Sequence, residues 1–81
     1  MKAKIEDVNI RGREEKMNHK GEAYCLVRFE DESGKAYELV DKDMERAKYY
    51  KRDTEGDLTI DISMGKFTTI RIVDFKIKEA E

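Results

Sequence analysis

The sequence has no proline and no tryptophan, and it contains one cysteine and one histidine. The single cysteine, Cys25, cannot form an intrachain disulfide, and we expect it to be a small buried hydrophobe. His19 lies nearby in the sequence, but no third ligand or catalytic base of a suitable type accompanies the pair. Because a zinc site needs more ligands and an activated nucleophile needs a base, we expect no metal, no cofactor and no enzymatic activity.

Long hydrophobic segments are also missing. No apolar run approaches the ~20 residues that a membrane-spanning helix needs. The first six residues are Met-Lys-Ala-Lys-Ile-Glu, which lack the apolar stretch of a secretory signal. We therefore expect a soluble, cytoplasmic protein with a reduced thiol, and neither a membrane nor a small-molecule substrate as its partner.

The composition is highly charged. Charged residues make up 44% of the 81 residues and hydrophobic residues 38%, proportions that lean toward disorder. The apolar residues, however, fall in short alternating runs, which indicates a single folded domain over residues 1–81 with a frayed tail at 78–81. A domain of this size buries only ~60–65% of its unfolded surface, so we expect an oligomer. The net charge of −2 argues weakly against a nucleic-acid partner.

Apolar residues at every second position predict five β-strands. The predicted strands cover residues 2–10, with a continuation past Gly12 left open, and residues 22–30, 35–40, 57–63 and 64–77. Residues 11–21 predict a polar extension or arm that ends in a turn at 18–21, and residues 31–34 predict a hairpin turn. On the second strand, Ala23, Cys25, Val27 and Phe29 form the predicted core face.

Two strands change phase partway along. The apolar positions slip by one residue near residues 6–7 of the first strand and near Ile72 and Val73 of the last. One extra residue at each place, a β-bulge, would return both apolar sets to one core. In the last strand this leaves Phe67 and Arg71 on the opposite, exposed face, where a ring and a guanidinium suggest a binding role.

Residues 41–52 contain the one helical candidate. Asp41 can cap its N-terminus, acidic residues precede basic ones as the helix dipole favours, and Met44 and Ala47 would face the core. A helical turn followed by a loop is equally compatible with this segment. Five strands with a short helix or loop between strands 3 and 4 predict an all-β, five-stranded OB-type barrel. An SH3-like barrel is the alternative.

Basic residues interleaved with aromatic ones are the strongest functional signal. Residues 46–52 hold four cations and two tyrosines, and residues 11–20 hold a second basic cluster. Single-stranded nucleic acid is bound by this combination, because cations contact phosphates and flat rings stack on unpaired bases. We expect both clusters to border one groove with Tyr24 and Phe67, and clusters on opposite sides of the barrel would remove most of the support for a DNA ligand. The predicted nucleic-acid-binding residues are Arg13, Lys16, Lys20, Tyr24, Leu26, Arg28, Tyr37, Lys48, Tyr49, Tyr50, Lys51, Arg52, Phe67 and Arg71.

Three alternatives remain open at this point. Residues 46–52 can be a solvated helix end with one tyrosine packed inward. Tyr37 belongs to the core if Leu39 does. A protein-interaction module would also be rich in Tyr, Phe and Arg, so the same aromatic face could bind a protein.

Three short motifs resemble one known family. They are His19-Lys-Gly-Glu-Ala-Tyr24, Gly34-Lys-Ala-Tyr37 and Gly65-Lys-Phe67-Thr-Thr-Ile-Arg-Ile-Val. Their order and approximate spacing over residues 13–77 are similar to the gene V type of single-stranded DNA-binding protein from filamentous phage, a small dimeric OB-fold protein. The chain departs from that family at Glu22 and Asp74, where the family has basic residues, and at His19, where it has arginine.

The resemblance implies a function and a set of contacts. Tyr24, Tyr37 and Phe67 match the family's DNA-facing aromatics, and Leu26 matches another contact position. The family's ring at the position of Phe67 sits on a loop that reaches toward the partner subunit's site. A homodimer that coats single-stranded DNA in phage or mobile-element replication, with little sequence preference, is therefore the expected function, and RNA is not excluded as a ligand.

Overall fold

The computed structural model describes residues 1–78, which are almost entirely β-structure. The elements are β1 (Lys2–Met17), β2 (Ala23–Glu30), β3 (Ala36–Asp41), α1 (Met44–Ala47), β4 (Glu55–Ser63) and β5 (Thr69–Ile77). At the end of β5 the Lys78 backbone N–H donates to the Glu55 carbonyl, so the predicted frayed tail does not include Lys78. Residues 79–81 of that predicted tail lie outside the described residues.

The five strands close into a barrel in the order β1-β2-β3-β5-β4, and β4 pairs back onto β1. Neighbouring strands are antiparallel except β3 and β5, which run parallel and pair only at Val40–Arg71 and Asp41–Ile72. This strand order, with a short helix between β3 and β4, is that of an OB-type barrel. The predicted all-β, five-stranded OB-type barrel is therefore confirmed, rather than the SH3-like alternative.

β1 is long enough to pair with two neighbours. Its first half pairs with β4 and its second half with β2, so residues 11–17 of the predicted arm continue the strand. The register with β4 shifts between Ile5 and Val8, and Asp7 there has a φ of 57°, which confirms the predicted bulge. A second shift lies between Ile10 and Gly12. These irregularities bend the strand around the barrel.

β5 carries the second predicted bulge. Thr59 pairs with Asp74 whereas Ile60 pairs with Ile72, which leaves Val73 as the extra residue. Ile72 and Phe75 are consequently both buried, although they are three positions apart. The strand begins later than predicted, because residues 64–68 form the loop between β4 and β5.

The core is drawn from β1, β2, β4, β5 and the α1 segment. Its buried hydrophobic residues are Val8, Ile10, Cys25, Val27, Phe29, Ala47, Tyr50, Leu58, Ile60, Ile72 and Phe75. Burial raises the pKa of the Cys25 thiol, as expected for a core cysteine. Ala23, predicted in the core, is exposed because it lies at the start of β2, beyond the closed part of the barrel.

α1 is a single helical turn over Met44–Ala47. The alternative of a helical turn followed by a loop is therefore found, rather than one helix over residues 41–52. Its N-cap is Asp43, whose carboxylate accepts from the Glu45 and Arg46 backbone N–H groups. Among residues 1–78 there is no helix of the length and apolarity that a bilayer crossing demands.

Asp41, the predicted cap, is fully buried at the end of β3. Its carboxylate accepts two hydrogen bonds from the Arg46 guanidinium, at 2.7 and 2.9 Å, and one from the Tyr50 hydroxyl at 2.5 Å. Burial, and then the Asp41 hydrogen bond, raise the pKa of the Tyr50 phenol. This network ties α1 and the turn after it to the end of β3.

Gly56 marks a place where β4 and β5 approach too closely for a side chain. A Cβ there would lie 2.5 Å from the Lys76 carbonyl oxygen and 2.6 Å from Cε1 of Phe75. We expect Gly56→Ala to destabilise the barrel by about 1–3 kcal/mol through overpacking, measured by urea unfolding. Gly12→Ala is the matched control, since nothing lies within 4 Å of its added Cβ. Equal stability of the two variants would contradict the packing of β4 on β5.

Candidate nucleic-acid interface

A groove of about 750 Å³ lies on the outer face of β2 and β3, beside the start of β5. This volume falls within the roughly 300–1,000 Å³ of ordinary ligand sites. The residues that line it are Lys16, Asn18, Tyr24, Leu26, Val40, Lys42, Ser63, Thr69, Ile70 and Arg71. Four of them, Lys16, Tyr24, Leu26 and Arg71, belong to the set predicted from the sequence.

Strand pairing brings these side chains together. Tyr24 and Leu26 point away from the core because they alternate with the buried residues of β2. In the sheet register Lys16 lies opposite Tyr24, and Val40 lies opposite both Leu26 and Arg71. Neighbouring positions on β1, β2, β3 and β5 therefore form one continuous surface with an aromatic ring, two aliphatic side chains and two cations.

The three charged side chains that line the groove are all cations, Lys16, Lys42 and Arg71. Lys16 Nζ lies 3.9 Å from the Glu14 carboxylate, and Arg71 Nη2 lies 3.7 Å from that of Asp61. Such long, solvent-accessible ion pairs are worth only about 0–1 kcal/mol, so a phosphate can replace the carboxylate. Lys42 forms no ion pair with any residue between 1 and 78. The groove is therefore basic although the chain is not.

The turn between β1 and β2 borders one end of the groove. The Asn18 side-chain oxygen accepts from the backbone N–H groups of Lys20 and Glu22, and the backbone of Gly21 takes a positive φ of 81°. These features fix the turn, and Asn18 itself lines the groove. The predicted Lys20 is exposed on the same turn, next to the groove rather than in it.

The β4–β5 loop borders the groove from another side. Ser63 and Thr69, which flank the loop, line the groove. Phe67 lies at the exposed part of this loop with 77% of its surface accessible, and Lys66 Nζ is 5.9 Å from the centre of its ring. The predicted Phe67 is thus available to a ligand that enters the groove, although its ring does not form the groove wall.

Arg28 lies beside the groove but does not line it. It follows Leu26 by two residues on the outer face of β2. Its Nε donates to the Glu38 carboxylate at 2.9 Å, and its Nη2 donates to that of Glu14 at 3.4 Å. The guanidinium predicted to contact phosphate is therefore occupied by two carboxylates.

Two tyrosines of the predicted set lie on the core side of the sheet, and of these only Tyr50 is buried. Tyr50 is 1% exposed and its ring stacks on Phe75, so it cannot stack on a base. Tyr37 lies opposite Phe29 in the register and stacks on it with ring centroids 5.6 Å apart. Tyr37 is therefore on the face opposite to Tyr24, but it is 40% exposed and is not one of the buried core residues.

The two basic clusters do not border one groove. Arg13 and Lys16 are three residues apart on β1, so their side chains take opposite faces of the strand. The Arg13 Nη1 donates to the Ala47 carbonyl at 2.6 Å. The Arg13 side chain therefore lies against α1, away from the groove. Of the basic residues between 11 and 20, only Lys16 lines the groove.

The cluster after α1 lies away from the groove. Its predicted residues are Lys48, Tyr49, Lys51 and Arg52, none of which lines the groove. Lys48 and Tyr49 instead adjoin a shallow hollow that includes Glu45 and Asp74, and these carboxylates disfavour a phosphate. This cluster is therefore not part of the groove, and a contact between its exposed Lys51 and Arg52 and nucleic acid stays a prediction.

The chain matches no protein-family model, no curated protein and no solved structure.

Six lining residues escaped the sequence-based prediction, namely Asn18, Val40, Lys42, Ser63, Thr69 and Ile70. Val40 and Lys42 had a usable signal, because they are in phase with each other and out of phase with the partly buried Leu39 and with Asp41. Alternation predicts Ile70 on the core face with Ile72, but Ile70 is 40% exposed and lines the groove. Asn18, Ser63 and Thr69 lie at strand ends or in turns, where alternation does not assign a face.

Proposed function

We propose that the chain binds single-stranded DNA, largely independently of sequence, in the groove over β2 and β3. The observation that carries this proposal is the combination of Tyr24 with three lining cations, Lys16, Lys42 and Arg71, and no lining carboxylate. OB folds bind oligonucleotides on this strand face, between the β1–β2 and β4–β5 loops. Both loops border the groove.

Each type of lining residue has a distinct role in the proposed complex. The three cations contact successive phosphates and release counterions, which gives affinity without sequence selection. The Tyr24 ring stacks on an unpaired base, and Leu26, Val40 and Ile70 provide apolar contact for the neighbouring base. Because stacking needs an exposed base face, a single strand should be preferred over a duplex.

The biological setting is proposed from the resemblance. It implies a homodimer that coats single-stranded DNA during phage or mobile-element replication, with no cofactor and no catalytic step. Met64 and Phe67, both more than two-thirds exposed on one loop, are the apolar residues that a second copy would cover. Sedimentation of the wild-type protein and of Phe67→Ser tests this arrangement.

Fluorescence anisotropy with labelled oligo(dT) at increasing salt tests the DNA-binding proposal. We expect binding at micromolar protein, with the logarithm of the affinity falling at a slope of about −2 against the logarithm of salt concentration, about −0.7 for each of three cations. An oligo(rU) of equal length tests DNA against RNA, and a duplex of equal length tests strand preference. Absence of binding, or an affinity that does not change with salt, would exclude the proposal.

A protein partner is the second candidate, favoured by the exposed Phe67 and Met64 on the β4–β5 loop. Aromatic residues and methionine are enriched in protein interfaces. A specific protein captured by the wild type but not by Phe67→Ala, together with no oligonucleotide binding, would favour this alternative.

A further inference from the structure

The outer face of β1, β2 and β3 is arranged in rows across the strands. One row contains Lys16 and Tyr24, the next contains Glu14, Leu26 and Val40, and the third contains Arg28 and Glu38. The groove occupies the first two rows through Lys16, Tyr24, Leu26 and Val40. The groove does not include the third row, although Arg28 in that row is a cation.

Two carboxylates account for this boundary. Glu38 Oε2 accepts from Arg28 Nε at 2.9 Å, and Glu14 Oε2 accepts from Arg28 Nη2 at 3.4 Å. The Glu14 carboxylate also lies 3.9 Å from Lys16 Nζ. It therefore contacts both Lys16, which lines the groove, and Arg28, which does not. All four side chains are about half exposed, but a phosphate at Arg28 has to displace two carboxylates, whereas a phosphate at Lys16 has to displace one.

We infer that Glu38 and Glu14 keep Arg28 from contacting the phosphate backbone, and that they thereby limit both the affinity and the length of the binding groove. The inference rests on the proposed function, because it concerns how the same groove selects its ligand. Glu38 is the principal barrier, since its contact is the shorter and involves Nε, the most restricted donor of the guanidinium. Removing its charge extends the basic surface by one row.

The test is a double-mutant cycle on Glu38 and Arg28, with oligo(dT) affinity measured by anisotropy at several salt concentrations. We expect Glu38→Gln to bind about threefold to fivefold more tightly than the wild type, since one exposed ion pair is replaced by one phosphate contact. The salt dependence should steepen by about 0.7. Arg28→Ala alone should change affinity by less than about twofold, and in the Glu38→Gln background it should abolish the gain.

Glu32→Gln is the control for a general change in net charge, because Glu32 is exposed in the turn at 31–34, at the opposite end of β2 from Tyr24. A gain of equal size in Glu32→Gln, or a gain that survives Arg28→Ala, would overturn the inference. So would unchanged affinity and salt slope in Glu38→Gln while the wild type binds. Absence of binding by both the wild type and Glu38→Gln would overturn the proposed function as well.

Discussion

Replacing Asp41 by alanine is expected to destabilise the protein by about 3–5 kcal/mol, as does removal of one partner from a buried ion pair. Asp41 is fully buried and accepts three hydrogen bonds from Arg46 and Tyr50. Its loss leaves a largely buried guanidinium and a buried phenol without a partner. A domain of this length has roughly 4–12 kcal/mol of total stability, so the variant should approach global unfolding at room temperature.

Asp43→Ala is the matched control for this substitution. Asp43 lies two residues away and also contacts the Arg46 guanidinium, at 3.4 Å, but it is half exposed and acts mainly as an N-cap. Loss of an N-cap costs about 1 kcal/mol. Urea unfolding of the two variants should therefore differ by at least about 2 kcal/mol. If Asp41→Ala were no less stable than Asp43→Ala, the buried network would not hold α1 to β3.

Replacing Tyr24 by alanine is expected to weaken oligo(dT) binding by about 1–3 kcal/mol, which is roughly 5-fold to 150-fold in the dissociation constant. The ring of Tyr24 lines the groove between cations from β1 and β5, where an unpaired base can lie on it. Phe67→Ala should weaken binding by a similar amount if its loop closes on the bound strand. Neither residue is part of the core, so folding should be unchanged.

Tyr49→Ala provides the comparison for Tyr24→Ala. Tyr49 is about half exposed, and its ring lies 5.3 Å from Lys48 Nζ, which is the same local chemistry of ring and cation. It lies outside the groove, however, so its replacement should change affinity by less than about twofold. A larger effect of Tyr49→Ala than of Tyr24→Ala would move the binding site to the α1 side of the barrel.

The fold could be predicted from the sequence because its signals are local. Alternation assigned Cys25, Val27 and Phe29 to the core face of β2, and the phase slips located the bulges at Asp7 and Val73. The extent of β1 could not be read in this way. Residues 11–17 have almost no apolar alternation. They form a strand because their backbone groups pair with those of β2.

The site was harder to predict because it depends on which face each residue takes. Tyr49 and Tyr50 are adjacent and chemically identical, yet Tyr50 is buried by its bond to Asp41 and Tyr49 is not. Which of the two tyrosines is buried depends on the Asp41 carboxylate, which lies nine residues before Tyr50 in the sequence. Likewise, Lys42 joins the groove only because β3 lies beside β2 and β5 in the closed barrel.

The most direct test of the central claim is an amide chemical-shift titration of the isotope-labelled protein with unlabelled oligo(dT). We predict that the largest shifts fall on Lys16, Tyr24, Val40, Lys42 and Arg71, with residues of the β4–β5 loop following. Amides of residues 45–52 should change little. Shifts concentrated on residues 45–52, or no shifts at all at saturating oligonucleotide, would contradict the assignment of the groove over β2 and β3 as the binding site.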